Sequence, residues 1–570
     1  MRLSLRRNSR RLAPALGLAF LTAPYAVRTA RADFAADEAL FAPMRAEMSR
    51  SFGKLTQESF GPPYFMAYRL IDQRRCELTA SYGAILQDSD DAYRNLYAEV
   101  RFGSHALDNT DLNFRGVQGA GATDPDVLRE RLWALTDAGY KGAVAGFLEK
   151  KARLATELEP DKLDDFSSEA STSADEPSPD SALERERARE LARRVSAVFR
   201  RHPRVYDSQV AAHLKWARRY LLTSEGARLA TPANHVPHLL RVSAMTRAED
   251  GMRLDNQVSW AFRDFSELPP RERLEAEAER LARELEELRQ APVQAPMAAP
   301  AVLDQELTGV LFHEALGHKL EGQRQRDPQQ SQLFRDQVGK RIIPEFLSLL
   351  DDPTLASYGG QALSGHYDYD DEGVRSQRVV LVEKGILRNF LMSRWPVKGF
   401  SRSNGHGRSD AQSRPTGRMA SLILRAESPL SRGELTRRLL KLIRRAGKPY
   451  GFLLVGAFGG ENPTSRAQAQ TLEVRPRLVY RVDAKTGGLT LVRGVSLVGT
   501  PLVILNRIVA AADDPVLSNA FYCGAESGYI PVSQIAPSTL ISEVELQRLP
   551  EDRARPPILE PPWSAQEPAP

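Results

Sequence analysis

The sequence predicts an α+β protein in which an N-terminal mixed α/β-sheet domain is followed by a mainly antiparallel β domain that carries a metal-binding helix. Three observations carry that expectation. At 570 residues the chain is too long for one ordinary hydrophobic core, so two domains are expected. Aromatic-rich runs of alternating polarity at 65–71, 76–86 and 96–102 read as strands bounded by Asp and Gly clusters. Residues 291–300, Ala-Pro-Val-Gln-Ala-Pro-Met-Ala-Ala-Pro, form a proline-punctuated connector that no helix crosses intact. The predicted domains are therefore 33–290 and 301–549, preceded by a targeting segment (1–32) and followed by a proline-rich tail (550–570).

The targeting segment places Arg2, Arg6, Arg7, Arg10 and Arg11 before an apolar run at 12–27 and a small-x-small cleavage site, Ala30-Arg31-Ala32. Export to the periplasm or the exterior is expected, and Ser9-Arg10-Arg11 points to a twin-arginine route. Pro14 and Pro24 break the run, which falls short of the roughly 20 apolar residues a spanning helix needs, so no stable membrane anchor is expected.

Each element follows in order. Residues 35–52 read as an amphipathic helix carrying Leu40, Phe41, Met44 and Met48, with Pro43 a kink or restart. After the first strands, 164–180 is acidic and serine-rich with almost nothing to bury, which predicts a disordered surface insertion. Helix resumes at 183–199, and strand, turn and strand at 220–245. Residues 271–290 place Leu274, Leu281, Leu285 and Leu288 among dense charges, as expected of a long helix with one apolar stripe. Beyond 301, strand-like runs at 379–382, 451–455 and 478–482 alternate with glycine-rich turns.

Composition excludes several classes. A hydrophobic content of 42% with 26% charged residues fits a globular protein with a sizeable core. A net charge of +5 from 78 basic and 73 acidic residues is too small and dispersed for phosphate neutralisation, so no nucleic-acid partner is expected. Cys76 and Cys523 are the only thiols, which excludes a disulfide-rich scaffold.

The chemistry concentrates in His313-Glu314-Ala315-Leu316-Gly317-His318. Two neutral imidazoles can hold zinc while a carboxylate between them takes a proton from water. The spacing is unusual: residues i and i+4 lie about 40° apart around an ideal helix, whereas i and i+5 lie about 140° apart. A regular helix cannot chelate with this pair. A one-residue π-bulge restores the shared face, and Gly317 is the residue at which distortion is cheapest, so a bulged helix is expected over 306–320.

Catalytic zinc takes three protein ligands. Cys523, followed by Gly524, is the best third candidate, although a disulfide with Cys76 or a plain buried thiol fits it as well. His366, His406, Asp368, Asp370, Asp371 and Glu372 are weaker candidates, the acidic run before Gly373 reading more simply as a solvated turn. Gly456, Gly459 and Gly460 lack the lysine and Ser/Thr of a phosphate loop, and no nucleotide site is expected.

These residues resemble the TldD/PmbA metallopeptidases, also called modulators of DNA gyrase. The most specific block is His313-Glu314-Ala-Leu-Gly-His318-Lys-Leu-Glu321-Gly322, similar to the family's His-Glu-Ala-x-Gly-His-x-Leu-Glu-Gly. Further similarity lies in Tyr369-Asp-Asp-Glu-Gly373, Gly385-Ile-Leu-Arg-Asn-Phe-Leu391, and Cys523-Gly524 ahead of Ile530-Pro-Val-Ser533. In the N-terminal half it is looser, through 97–101 and Ser224-Glu225-Gly226. The resemblance implies that His313, His318 and Cys523 bind zinc and that Glu314 is the general base. It implies hydrolysis of unfolded or extended peptides added to a sheet beside the metal, and assembly with a second copy or a partner of the same family. The chain keeps every motif residue and so resembles the active type rather than the subunits that lack the motif. The export segment, the acidic insertion and the proline-rich tail depart from the family, whose members are usually cytoplasmic. Two rival readings stay open: a peptide-binding or assembly module with a structural metal held by four ligands, His366 or His406 among them, and a metal-free scaffold with a Cys76–Cys523 disulfide.

Overall fold

A long antiparallel hairpin organises the N-terminal half of the computed structural model, which describes residues 37–57, 60–110, 116–156, 162–176, 183–232, 238–410, 412–549 and 553–559. Its strands, Phe65–Ser81 and Ala84–Arg101, meet at Tyr82-Gly83, both at positive φ (48° and 83°), as a two-residue hairpin turn that follows the strand twist requires. The three short strands expected here are thus two long ones. Asp207–Thr223 pairs with Phe65–Ser81 and extends the hairpin into an eight-stranded sheet. One end of Asp207–Thr223 pairs with Arg228–Pro232, the other with His238–Arg247, which in turn pairs with Arg253–Phe262.

Helices cover one face of this sheet. Asp37–Lys54 and Pro125–Leu154 bury Leu40, Phe41, Met44, Leu128 and Leu132 against Tyr68, Leu70 and Leu96. Pro43 lies inside the first helix without dividing it. Arg185–Ala197 and Arg271–Gln290 cover the other end, where the expected stripe Leu274, Leu281, Leu285 and Leu288 packs on Leu214, Leu240 and Val242.

Among the described residues the second half holds two large sheets and two two-stranded ones, Ser357–Tyr358 with Gln361–Ala362 and Gly407–Arg408 with Thr416–Gly417. Tyr450–Glu461, Met297–Leu303, Thr539–Arg548, Val495–Gly499 and Leu472–Asp483 pair in that order, and the last returns to the first, so five strands close into a barrel. A six-stranded sheet runs Ile386–Leu387, Val379–Glu383, Leu347–Asp351, Ser421–Ala426, Gly528–Ala536, Val516–Ala525. All its pairs are antiparallel except Ser421–Ala426 with Gly528–Ala536. Helix Gln305–Phe312, capped by Asp304, leaves the barrel strand and buries Leu307, Val310, Leu311 and Phe312 in the main core.

Two expectations are corrected. Residues 291–300 are not a free connector, because 297–300 begin the barrel strand; Pro300, which cannot donate, sits opposite the register shift of Thr539–Arg548, where no ladder bond is needed. The described part of the acidic segment, 164–176, is not a disordered insertion. Asp165 is 1% exposed between Lys150 and Arg326, Phe166 lies under the Arg101 and Arg394 guanidinium groups, and Ser173–Asp175 pairs with Arg228–Pro232. Cationic partners and one aromatic anchor supply what a bare acidic run lacks. Residues 177–180, the export segment 1–32 and most of the tail lie outside the described residues. Among the described residues no helix is long and apolar enough to cross a membrane.

Candidate metal centre

The helix that begins at Gln305 widens where the histidines require it. His313–Gly317 is a π-helical turn closed by the His318 N–H donating to the His313 carbonyl, and His318–Leu320 tightens to 3-10 geometry. The extra residue rotates His318 back to the face of His313, and their ring centroids lie 4.9 Å apart at 88°. The reason for Gly317 differs from the expected one. Its φ and ψ, −49° and −59°, are ordinary helical values, whereas a Cβ there would stand 2.0 Å from Met419 Sδ. Close packing against Met419, not conformational freedom, disfavours a side chain.

Cys523 reaches the pair from Val516–Ala525, the edge strand of the six-stranded sheet. Its Sγ lies 3.4 Å from His318 Nε2, and the donor atoms of His313, His318 and Cys523 all fall within 4.8 Å of one another. His313 Nδ1 is buried without a hydrogen-bond partner. A soft thiolate, two imidazoles and an unsatisfied nitrogen suit zinc. Burial opposes charge on Cys523, but His318, Arg418 and His313 outweigh it and hold the thiol well below its ordinary range. Cys76 is also a free thiol, buried in the N-terminal core, so the disulfide alternative is not formed.

Two residues beyond the expected set complete the site. Glu321 Oε1 lies 3.0 Å from His318 Nδ1, leaving Nε2 turned to Cys523. Arg418 donates to Cys523 Sγ (3.1 Å) and to its carbonyl (2.7 Å). Its spacing from His318 could have marked Glu321; nothing local in the sequence marks Arg418. Glu314 is partly buried, and burial, only partly offset by His313 and His318, raises its pKa. Gly460 approaches it so closely that a Cβ would meet Glu314 Cγ at 2.7 Å. The side chains open into a cleft of about 1310 Å³, walled also by Arg241, Trp260, Phe458, Tyr522 and Tyr529.

The weaker candidates lie elsewhere. His366 Nδ1 meets the Pro353 carbonyl, His406 Nε2 faces Asp351, and Asp368 is exposed. Asp370 and Asp371 are not a solvated turn: at 1% and 2% exposure they are enclosed, Asp371 pairing with Arg219 of the N-terminal sheet. Among the described residues His313, His318 and Cys523 form the one group able to hold a metal.

A buried two-histidine, one-cysteine donor set with a carboxylate beside it, opening to a cleft, is an arrangement suited to a metallohydrolase. Residues 296–548 match the family described as PmbA/TldA metallopeptidase C-terminal domain. Among curated proteins, a metalloprotease of Methanocaldococcus jannaschii is 31% identical over 40% of this chain and 47% of its own length. A zinc metalloprotease TldD homolog of Saccharolobus solfataricus is 28% identical over 43% of this chain and 51% of its own. The chain spans about half the length of the curated relatives it matches. The fold matches a Thermotoga maritima protein described as a modulator of DNA gyrase (TM-score 0.60, 14% identity, 89% of this chain, 99% of that one). It also matches TldE from Thermococcus kodakarensis (TM-score 0.58, 14% identity, 89% and 100%). Residues 296–548 are thus similar to the PmbA/TldA metallopeptidase C-terminal domain, and the fold is that of the TldE and gyrase-modulator structures.

Proposed function

We propose that the protein is a zinc-dependent peptidase acting on unfolded or extended peptides, with His313, His318 and Cys523 as ligands and Glu314 as general base. The observation that carries this reading is the convergence of those three donor groups at the π-turn, with Glu314 beside them in an open cleft. Bound there, zinc supplies Lewis acidity that polarises a carbonyl and makes water a stronger acid. The Glu314 carboxylate takes the proton that the attacking water loses and returns it to the nitrogen of the leaving amine. Its raised proton affinity suits both transfers. Glu321 holds the His318 ring in one orientation, and Arg418 keeps Cys523 ionised.

Extended peptides fit because Val516–Ala525 is the last strand of its sheet, and among the described residues no strand pairs with its outer edge beside the cleft. The same reading takes the protein to be exported and to work with a second copy or a related chain. The test is digestion of an unstructured peptide by the purified protein with and without chelator, alongside metal analysis. Turnover should vanish with the metal and return on adding one equivalent of zinc; full turnover by metal-free protein would refute the reading.

A further inference from the structure

The wall of the cleft formed by the N-terminal sheet carries charges that the proposed hydrolysis leaves unexplained. Alternate residues of a strand share a face, and cross-strand partners point the same way. Arg75 and Lys215 are partners in register, as are Glu77 and His213. On the next strands Arg241 is paired with Ala211 on one side and Ser259 on the other. The opposite face of these strands is the apolar one, with Cys76, Leu214, Leu240 and Val242 under the helices. Arg75, Lys215 and Arg241 are therefore half-buried on the uncovered face, and Arg241 lines the cleft together with His313, Glu314 and Cys523.

Near these three cations the same face carries Glu77, beside Arg75, and Asp91, the cross-strand partner of Arg75. Glu77 is 3.5 Å from Arg75, but among the described residues neither Lys215 nor Arg241 forms a salt bridge. Lys215 instead donates to the Tyr522 hydroxyl (3.0 Å) and lies 4.3 Å from the centre of that ring. Arg241 has the neutral Ser259 hydroxyl at 3.3 Å. Tyr522 is the residue before Cys523 and also lines the cleft. The cleft's acids at the root of the metal helix are engaged elsewhere: Asp304 accepts from Leu307 and Gly456 N–H groups, and Glu306 faces Arg477 at 3.9 Å. Burial and the neighbouring Arg75 lower the Lys215 pKa to about 8, the mark of a cation short of counter-charge. Arg75 opposes the charge on Lys215, burial alone opposes that on Arg241, and half-buried cations of this kind are costly unless an anion joins them.

We propose that Arg241 and Lys215, reinforced by Arg75, form a carboxylate-binding wall that holds the negative group of a peptide, either its free C-terminus or an acidic side chain, across the cleft from the metal ligands. The proposal rests on the peptidase reading and adds an anionic requirement to the substrate.

The test measures binding, so that it is read separately from turnover. A fluorescein-labelled octapeptide is made in four versions, crossing C-terminal carboxylate or amide with a central Glu or Gln. Each is titrated by anisotropy against the zinc-loaded full chain carrying Glu314→Gln. Peptides bearing the recognised carboxylate should bind about tenfold more tightly than the fully neutral one. Dependence on the terminus identifies an end-recognising site, and dependence on Glu an acidic side-chain subsite. Adding Arg241→Gln and Lys215→Gln should abolish the difference between charged and neutral peptides, and Arg241→Lys should retain it. Equal binding of all four versions, no binding of any, or a difference that survives the double substitution would overturn the proposal. Wild-type digestion of the same peptides reports on the peptidase reading independently.

Discussion

Two buried charged clusters invite comparison, the one around His313–His318 and the one around Asp370–Glu372. In the second, the carboxylates are met by hydrogen-bond donors. Asp370 accepts from the N–H groups of Glu372, Val374 and Gly407 at 2.9 to 3.0 Å. Asp371 divides its oxygens between Arg219 and the Ser409 N–H, and Glu372 accepts from the Arg394 N–H at 2.7 Å. Burial nevertheless pushes Glu372 up to about 7. In the first, the donor atoms converge and His313 Nδ1 has no partner at all. Density of buried charge therefore does not separate a functional site from a structural joint. Convergence of ligand atoms, one of them without a partner, does, and the joint's satisfied acids instead tie the N-terminal sheet to the second half.

Five substitutions would sharpen or break that contrast. The largest effect belongs to Glu314→Gln, expected to lower peptide turnover by about 10²–10⁴-fold with zinc content unchanged; near-normal turnover would remove Glu314 from the chemistry. Next, Asp371→Ala leaves Arg219 buried and unpaired, and a loss of about 3–5 kcal/mol should appear as a lower urea midpoint while zinc stoichiometry is kept. If zinc were lost from the folded variant, the two clusters would not be separate in role. Glu321→Ala should weaken zinc about 10–100-fold in competition with a chelator, because the His318 ring loses its orienting partner. The smallest change, Gly317→Ala, drives a methyl into the flexible Met419 side chain and should cost about 1 kcal/mol in thermal unfolding. Met419→Ala should relieve it, and additive losses in the double variant would argue against this packing.

Much of the metal helix was legible in the sequence. The i,i+5 histidine spacing demands a bulge, and the π-turn at His313–Gly317 supplies it. The third candidate ligand was not legible from spacing, because Cys523 arrives from a strand far along the chain; residue chemistry left it level with a disulfide or a buried thiol, and the family resemblance raised it above them. Gly317 was read for the wrong reason, since its neighbour Met419 is likewise remote in sequence. The same holds for Arg418 and for the barrel, whose strand Met297–Leu303 pairs with Thr539–Arg548 from the other end of its domain. Helix Pro125–Leu154 was hard to see because exposed Val127, Trp133 and Leu148 blur the stripe of Leu128, Leu132 and Tyr140. The acidic run 164–176 misled because its partners Lys150 and Arg326 lie outside it.

The central claim is that His313, His318 and Cys523 form one three-ligand zinc site, and zinc-edge X-ray absorption of the protein reconstituted with one equivalent of metal tests it most directly. The account predicts one sulfur near about 2.3 Å and two imidazole nitrogens near about 2.0–2.1 Å, with the remaining position filled by oxygen from solvent. A shell lacking sulfur, or one closed by four protein ligands, would contradict it.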